Sequence, residues 1–357
     1  MTSKQPFYVR LTIILVCIVF AVIIMRAASS LLIPLFAGLL LAILMLPLVH
    51  LLERFRFGRS SAAIISVFCF ILTFFAINFF LTSQVSVFSR ELPNINNKMQ
   101  VMFTSLQQWL SVKFHIDQAQ QADYMSSSFK DMVNWITGFV SMLFLSLGNI
   151  LIWILFICIY AYFILYYRSM LVRFVIKLVA DDYPDTIDII IQENKKVIKG
   201  YITGLLVEFS IVFVLSFTLL TILGIKYALM LAIIVAMLNI IPYLGIYTAI
   251  LLVMFVTYAN SSGGAAIQAG IALLVIHLID GIFLLPRIVG ARMKLNPFMT
   301  IIAVIVGDIV WGVPGMFLFI PLAAMLRIIF ENISSLEAWA ILLGEEAKKK
   351  KIKKHSL

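Results

Sequence analysis

Five polar side chains carry most of the chemistry open to this chain: Glu208, Asn239, His277, Asp280 and Asp308. Each lies within or beside a long apolar run. A charged side chain at membrane depth costs about 2.5–3.5 kcal/mol on insertion scales, so ionisable groups there are candidates by default. His277 and Asp280 are three residues apart, which places them on one helical face as a solute- or proton-binding pair. Asn239 can both donate to and accept from a neutral polar solute. Glu208 lies about eight residues into its apolar run, too deep to be interfacial. Asp308 precedes a Gly/Pro cluster, where a carboxylate would sit beside exposed backbone. Each also has a plainer use, as a helix–helix hydrogen bond or a staple to a neighbouring helix.

The elements that would position these groups are two apolar segments broken near their middles. Segment 227–259 carries Asn239-Ile-Ile-Pro242-Tyr-Leu-Gly245, and segment 297–330 carries Gly307-Asp308, then Gly312-Val-Pro314-Gly315. Proline and glycine interrupt helical hydrogen bonding there. Lipid cannot satisfy the freed backbone groups, so such breaks persist only inside protein or beside a watery cavity. Paired breaks of this kind point to a transporter's binding site.

Composition sets the class. Hydrophobic residues make up 63% and charged residues 12%, against roughly 45–50% and about 25% in soluble domains. The uncharged runs 31–52, 60–83 and 138–167 exceed the ~20 residues that span a bilayer. The expected fold is an all-α polytopic membrane protein with about eight membrane segments. The N-terminus resembles an export signal, with Lys4 and Arg10 before an apolar stretch and Ala27-Ala28-Ser29 after it. Seven further apolar segments favour an uncleaved first helix. Cys17, Cys69 and Cys158 sit in apolar runs as small hydrophobes, not as a disulfide framework or metal cluster. The net charge of +10 is concentrated partly in six lysines of Lys348–Lys354, a cytoplasmic tail beside anionic headgroups and not a nucleic-acid surface. No protease, hydrolase or nucleotide-binding motif is present, so neither an enzyme nor ATP-driven transport is expected, and no cofactor is implied.

Charge bias orients the chain with both termini inside. The turn 53–59 has three basic residues, 168–199 has six, and 84–137 balances four basic against four acidic. Treating 227–259 and 297–330 as re-entrant hairpins, inverted relative to each other, puts 21 of the 27 Lys and Arg inside; a continuous reading of the first puts 18 there. Arms of about 13–15 residues reach only ~20–22 Å, short of a crossing. The resulting divisions are 1–83 (three transmembrane helices), 84–137 (an extracytoplasmic helical cap or subunit contact), and 138–167 (a fourth helix). They continue with 168–200 (a cytoplasmic amphipathic segment), 201–331 (the transport core) and 332–357 (the basic tail). In 84–137, Leu92, Ile95, Met99, Met102, Phe103, Leu106 and Leu110 recur at helical spacing. Gly200 and Gly204 form a small-xxx-small packing face, and Tyr160, Tyr162, Tyr166 and Tyr167 an interfacial belt.

The stretch Asp280-Gly-Ile-Phe-Leu-Leu-Pro286-Arg287-Ile-Val-Gly290 through Asn296-Pro297 resembles a hallmark of the AI-2 exporter (AI-2E) family. So do Gly312-Val-Pro314-Gly315-Met-Phe-Leu-Phe-Ile-Pro321 and the Ile-Pro242-Tyr-Leu-Gly245 element. The resemblance implies a multipass secondary carrier in the bacterial cytoplasmic membrane. Its solute would be small and polar, an AI-2-like signalling molecule first and a monovalent cation exchanged for protons second. A non-transporting scaffold or channel-like subunit is the lesser alternative. The partners expected are that solute or cation, membrane lipid and further copies of the chain.

Overall fold

The computed structural model describes residues 6–89, 151–178, 186–240, 244–284, 286–290, 293–333 and 336–344, with Thr104, Gln108 and Gly138 besides. In chain order the helices are α1 (Phe7–Ala27), α2 (Ser29–Arg54), α3 (Arg59–Ser89) and α4 (Leu151–Leu178). Then come α5 (Ile187–Ile222), α6 (Ala228–Asn239), α7 (Leu244–Asn260) and α8 (Gly263–Ile279), which widens into a π turn over Asp280–Leu284. After a second π turn, Pro286–Gly290, follow α9 (Pro297–Trp311), α10 (Val313–Glu331) and the short α11 (Glu337–Leu343). Among the described residues there is no strand, only an isolated bridge between Leu295 and Gly344.

Six of these helices (α2, α3, α4, α5, α8 with its π turn, and α10) are long and apolar enough to cross a membrane. The protein is therefore an all-helical multi-pass membrane protein. The apolar stretches of α1, α6, α7 and α9 are shorter. Most of the expected 84–137 cap lies outside the described residues.

Two elements run longer than expected, the first being α4, which continues past residue 167 to Leu178. The amphipathic stretch after residue 186 and the span from Tyr201 are a single helix of 36 residues, about 54 Å at 1.5 Å per residue. Gly200 does not break it, because a lone helical glycine costs only about 1 kcal/mol. The helix ends where Gly224 (φ +66°) and Tyr227 (φ +66°) adopt left-handed backbone.

The described chain divides into two compact units. The first comprises Met1–Val67, Phe156–Leu205 and Pro286–Leu357, and the second Phe68–Leu155 and Leu206–Leu285. In the first unit α2 and α4 approach closely at Gly38, where a Cβ would lie 2.8 Å from the Tyr160 Cβ. Glu53 and Arg168 close the end of that pair through two hydrogen bonds of 2.7 and 2.8 Å. Ser60 and Tyr162 hydroxyls meet at 3.1 Å, so one tyrosine of the expected belt bonds a neighbouring helix. Tyr201 is buried and donates to the Phe317 carbonyl (3.0 Å), which fixes α5 against α10 beside the buried Gly200 and Gly204.

The break at 312–315 is a chain reversal. Gly312 has φ +64°, a conformation that L side chains rarely adopt. On either side α9 and α10 pack along each other so tightly that a Cβ on Gly307 would strike the Gly315 carbonyl, and one on Gly315 the Gly307 carbonyl. The Trp311 ring stands edge-on to Phe319 (5.2 Å) and donates Nε1–H to the Met25 carbonyl at 2.9 Å. Asn296 caps α9 by accepting from the Met299 amide (2.7 Å). Its own amide donates to the carbonyls of Leu342 and Gly344 at the end of α11. Pro297 at the first helical position needs no donor partner there.

In the second unit, α6, α7 and α8 pack with the later part of α5 around Val212, Leu231, Val235, Val253, Leu273 and Ile276. Gly245 abuts the Leu238 carbonyl, where a Cβ would have no room, so the start of α7 lies directly on the end of α6. The helices flanking the two breaks have 12 and 17 residues, and 15 and 19. The expected arms were more even.

Candidate polar site in the second unit

Three of the five polar residues converge. Glu208 from α5 and Asp280 at the end of α8 are each only 4% exposed. The Asn239 side-chain amide, from the last residue of α6, donates to Asp280 Oδ2 at 3.0 Å and to Glu208 Oε1 at 3.4 Å. One nitrogen thus serves two carboxyl groups from two other helices. Both of its hydrogens are committed, the second to the longer contact.

Local sequence explains each placement. Glu208 lies in an uninterrupted helix and faces inward, while Leu206 and Val207 are exposed. Asn239 stands at the C-terminal end of α6, just before Pro242. Asp280 is where α8 opens into a π turn, five residues before Leu285-Pro286. A proline cannot donate to the preceding turn, so regular α-helical bonding cannot continue through it. Wide turns of this kind are frequent at functional positions.

The opposite oxygens, Glu208 Oε2 and Asp280 Oδ1, are buried and have no hydrogen-bond partner among the described residues. A buried acceptor left unmatched costs about 1–3 kcal/mol, more when charged. Two such acceptors around one amide form an arrangement suited to a donor-bearing solute, a proton or a cation. Half-buried His277 lies one turn before Asp280. Its ring meets Tyr247 edge-on at 5.8 Å, and its buried Nδ1 has no partner among the described residues. Tyr247 was not singled out from the sequence. Its position just past Pro242 and Gly245 was the available signal.

Asp308 stands elsewhere. It is exposed, in the first compact unit, and its backbone carbonyl accepts from the Gly312 amide at 2.8 Å. Of the expected tip residues, Gly245, Gly312 and Gly315 are close-approach or reversal points, and Pro314 lies in the first turn of α10. Pro242 falls outside the described residues. Cys17 and Cys69 are exposed and Cys158 is buried, and all three are free thiols.

The profile of the AI-2E family transporters matches residues 12–335. The chain belongs to that family. YueF of Bacillus subtilis (strain 168) is 25% identical over 314 residues, 85% of each chain. YhhT of Escherichia coli (strain K12) is 23% identical over 323 residues, 89% of each. The names of both carry a transport assignment without a substrate. The AI-2 transport protein TqsA of E. coli (strain K12) is 22% identical over 328 residues, 90% of this chain and 91% of the relative. These relatives align along almost the whole chain, so the likeness takes in the helices that carry Glu208, Asn239 and Asp280.

Proposed function

We propose that this AI-2E transporter is a secondary carrier that exports a small polar solute through alternating access, with the solute held at Glu208, Asn239 and Asp280. The buried pair of carboxyl groups sharing the Asn239 amide carries this reading. A hydroxyl-rich solute of the AI-2 type would donate to the two unmatched oxygens. His277 and Tyr247 stand beside the same helix end and would bound the site. The name of the relative TqsA supports this solute class.

The two buried carboxyl groups also favour a second reading, exchange of a monovalent cation for protons, because unmatched carboxyl oxygens suit a cation as well as a hydroxyl. Flux in proteoliposomes of the purified chain separates the two. Uptake of a dihydroxy-furanone solute that is independent of sodium is the expected result. Solute-independent sodium or lithium movement driven by a proton gradient would transfer the assignment to antiport. Neither flux would end both.

The proposed topology places the chain in the cytoplasmic membrane with both termini inside and α6–α7 and α9–α10 as re-entrant pairs. The short arms are α6, with 12 residues, and α9, with 15. At 1.5 Å per residue they reach about 18 and 22 Å, short of the ~30 Å hydrocarbon core. Lys294 is exposed and would face the cytoplasm. In a background lacking the native cysteines, Lys294→Cys should react with an impermeant maleimide in inside-out vesicles and stay unlabelled in intact cells. Labelling in intact cells would sink the paired re-entrant arrangement.

A further inference from the structure

The first compact unit holds a cavity of about 910 Å³ where α2 and α10 end, α5 begins and the polar end of α4 runs past. Its walls are apolar, with Leu39, Ile43, Ile190 and Ile198 among them. Three cationic side chains, Arg168, Arg173 and Lys195, also line it, with His50 and Ser169. No acidic side chain does, among the described residues. Glu53 is taken up by Arg168, while Asp188 and Glu193 point to the exposed face of α5.

Two buried polar atoms at this cavity are unmatched among the described residues. Asn194 is 8% exposed and its Oδ1 has no partner; neither has Arg168 Nη1, although that guanidinium bonds Glu53 through Nη2. An apolar chamber of this size falls within the ~300–1,000 Å³ of small-molecule sites. A purely apolar occupant would leave Arg168 Nη1 and Asn194 Oδ1 unmatched, and would give Arg173 and Lys195 no counter-charge. An anion without apolar chains would leave the walls wet.

We propose that this cavity binds an anionic phospholipid of the surrounding bilayer. Its phosphate sits between Arg173 and Lys195 within reach of Arg168, and an acyl chain lies along Leu39, Ile43 and Ile198. Basic pockets between membrane helices on the cytoplasmic side suit such headgroups, and the membrane supplies this ligand at high local concentration. Three further acidic residues, Asp181, Asp182 and Asp185, fall in sequence between two of the lining helices and lie outside the described residues. They make the chain itself the competing occupant.

Purified full-length protein in detergent, titrated with phosphatidylglycerol or phosphatidylcholine, tests this through bound lipid in native mass spectrometry and through the thermal unfolding midpoint. Phosphatidylglycerol should bind at least tenfold more tightly and raise the midpoint selectively. R173Q/K195Q should remove that selectivity and leave the lipid-free midpoint unchanged. V172W fills the apolar part of the cavity while keeping both cations, and should also lose the bound lipid. Equal binding of the two lipids would overturn the proposal. So would a R173Q/K195Q variant whose midpoint falls equally with and without lipid, since the cations would then hold a segment of this chain. The measurement needs no transported solute, so its outcome stands apart from that of the flux assay.

Discussion

Asn239→Leu should lower solute flux at least a hundredfold and destabilise the second compact unit. The substitution removes the one amide that both Glu208 and Asp280 accept from. It leaves two buried carboxyl groups without the amide they share. Removing one partner from a buried charged network typically costs about 3–5 kcal/mol. Adding Glu208→Gln should recover part of that loss, because one carboxylate disappears and an amide donor returns from α5, while flux stays low. Asp280→Asn is the milder test. It keeps the shape of the side chain and loses a charge-assisted bond of about 1.5–3 kcal/mol, or roughly ten- to a hundredfold in solute affinity. Flux and unfolding in Asn239→Leu indistinguishable from the unaltered protein would remove the cluster from both roles.

The second large effect concerns α9 and α10. Gly315→Ala and Gly307→Ala should each lower stability by about 3 kcal/mol or more, at the upper end of overpacking costs. The reason is that each added Cβ meets backbone and not a movable side chain. For Gly307 it is the Gly315 carbonyl and the Met316 amide; for Gly315 it is the Gly307 carbonyl and the Trp311 Cβ. Separating the helices would also pull at the Trp311 bond to the Met25 carbonyl. Gly281→Ala is the matched control, because a Cβ there meets nothing within 4 Å, and its effect should stay within about 0.5 kcal/mol. Thermal unfolding of the three variants in one detergent reads the contrast. A Gly315→Ala midpoint equal to that of Gly281→Ala would show that the packed pair is looser than its backbone contact implies.

Much of this architecture was legible in the residues alone. Uncharged runs of bilayer length require helices, since lipid offers backbone groups no partner. Gly312-Val-Pro-Gly315 marks where helix α9 must stop. Asn296-Pro297 is a helix start by side-chain capping and by the missing proline donor. Local chemistry suffices for these because each depends on residues within one turn. Lysine and arginine counts suggested an orientation in the same local way.

The convergence of Glu208, Asn239 and Asp280 was beyond local reading. Their bonds join residues 31 and 41 positions apart, and hydropathy is summed over neighbours in sequence. A soluble helix betrays its inward face through an amphipathic stripe, but a helix apolar on every side carries no such phase. Whether Glu208 points inward with Gly204 or outward with Leu206 depends on which neighbours pack against α5, a question of helix rotation that interhelical contacts decide. The same ambiguity hid the exposure of Asp308, which the sequence placed beside a glycine cluster without revealing its face. It also hid the partners of Tyr201 and Trp311, whose polar tips reach carbonyls on helices far along the chain. The sequence by itself determined that there are helices, where they break and which polar groups must be explained. Tertiary packing decided which of those groups meet, because a hydrogen bond between membrane helices requires a rotation and a depth that no single segment encodes.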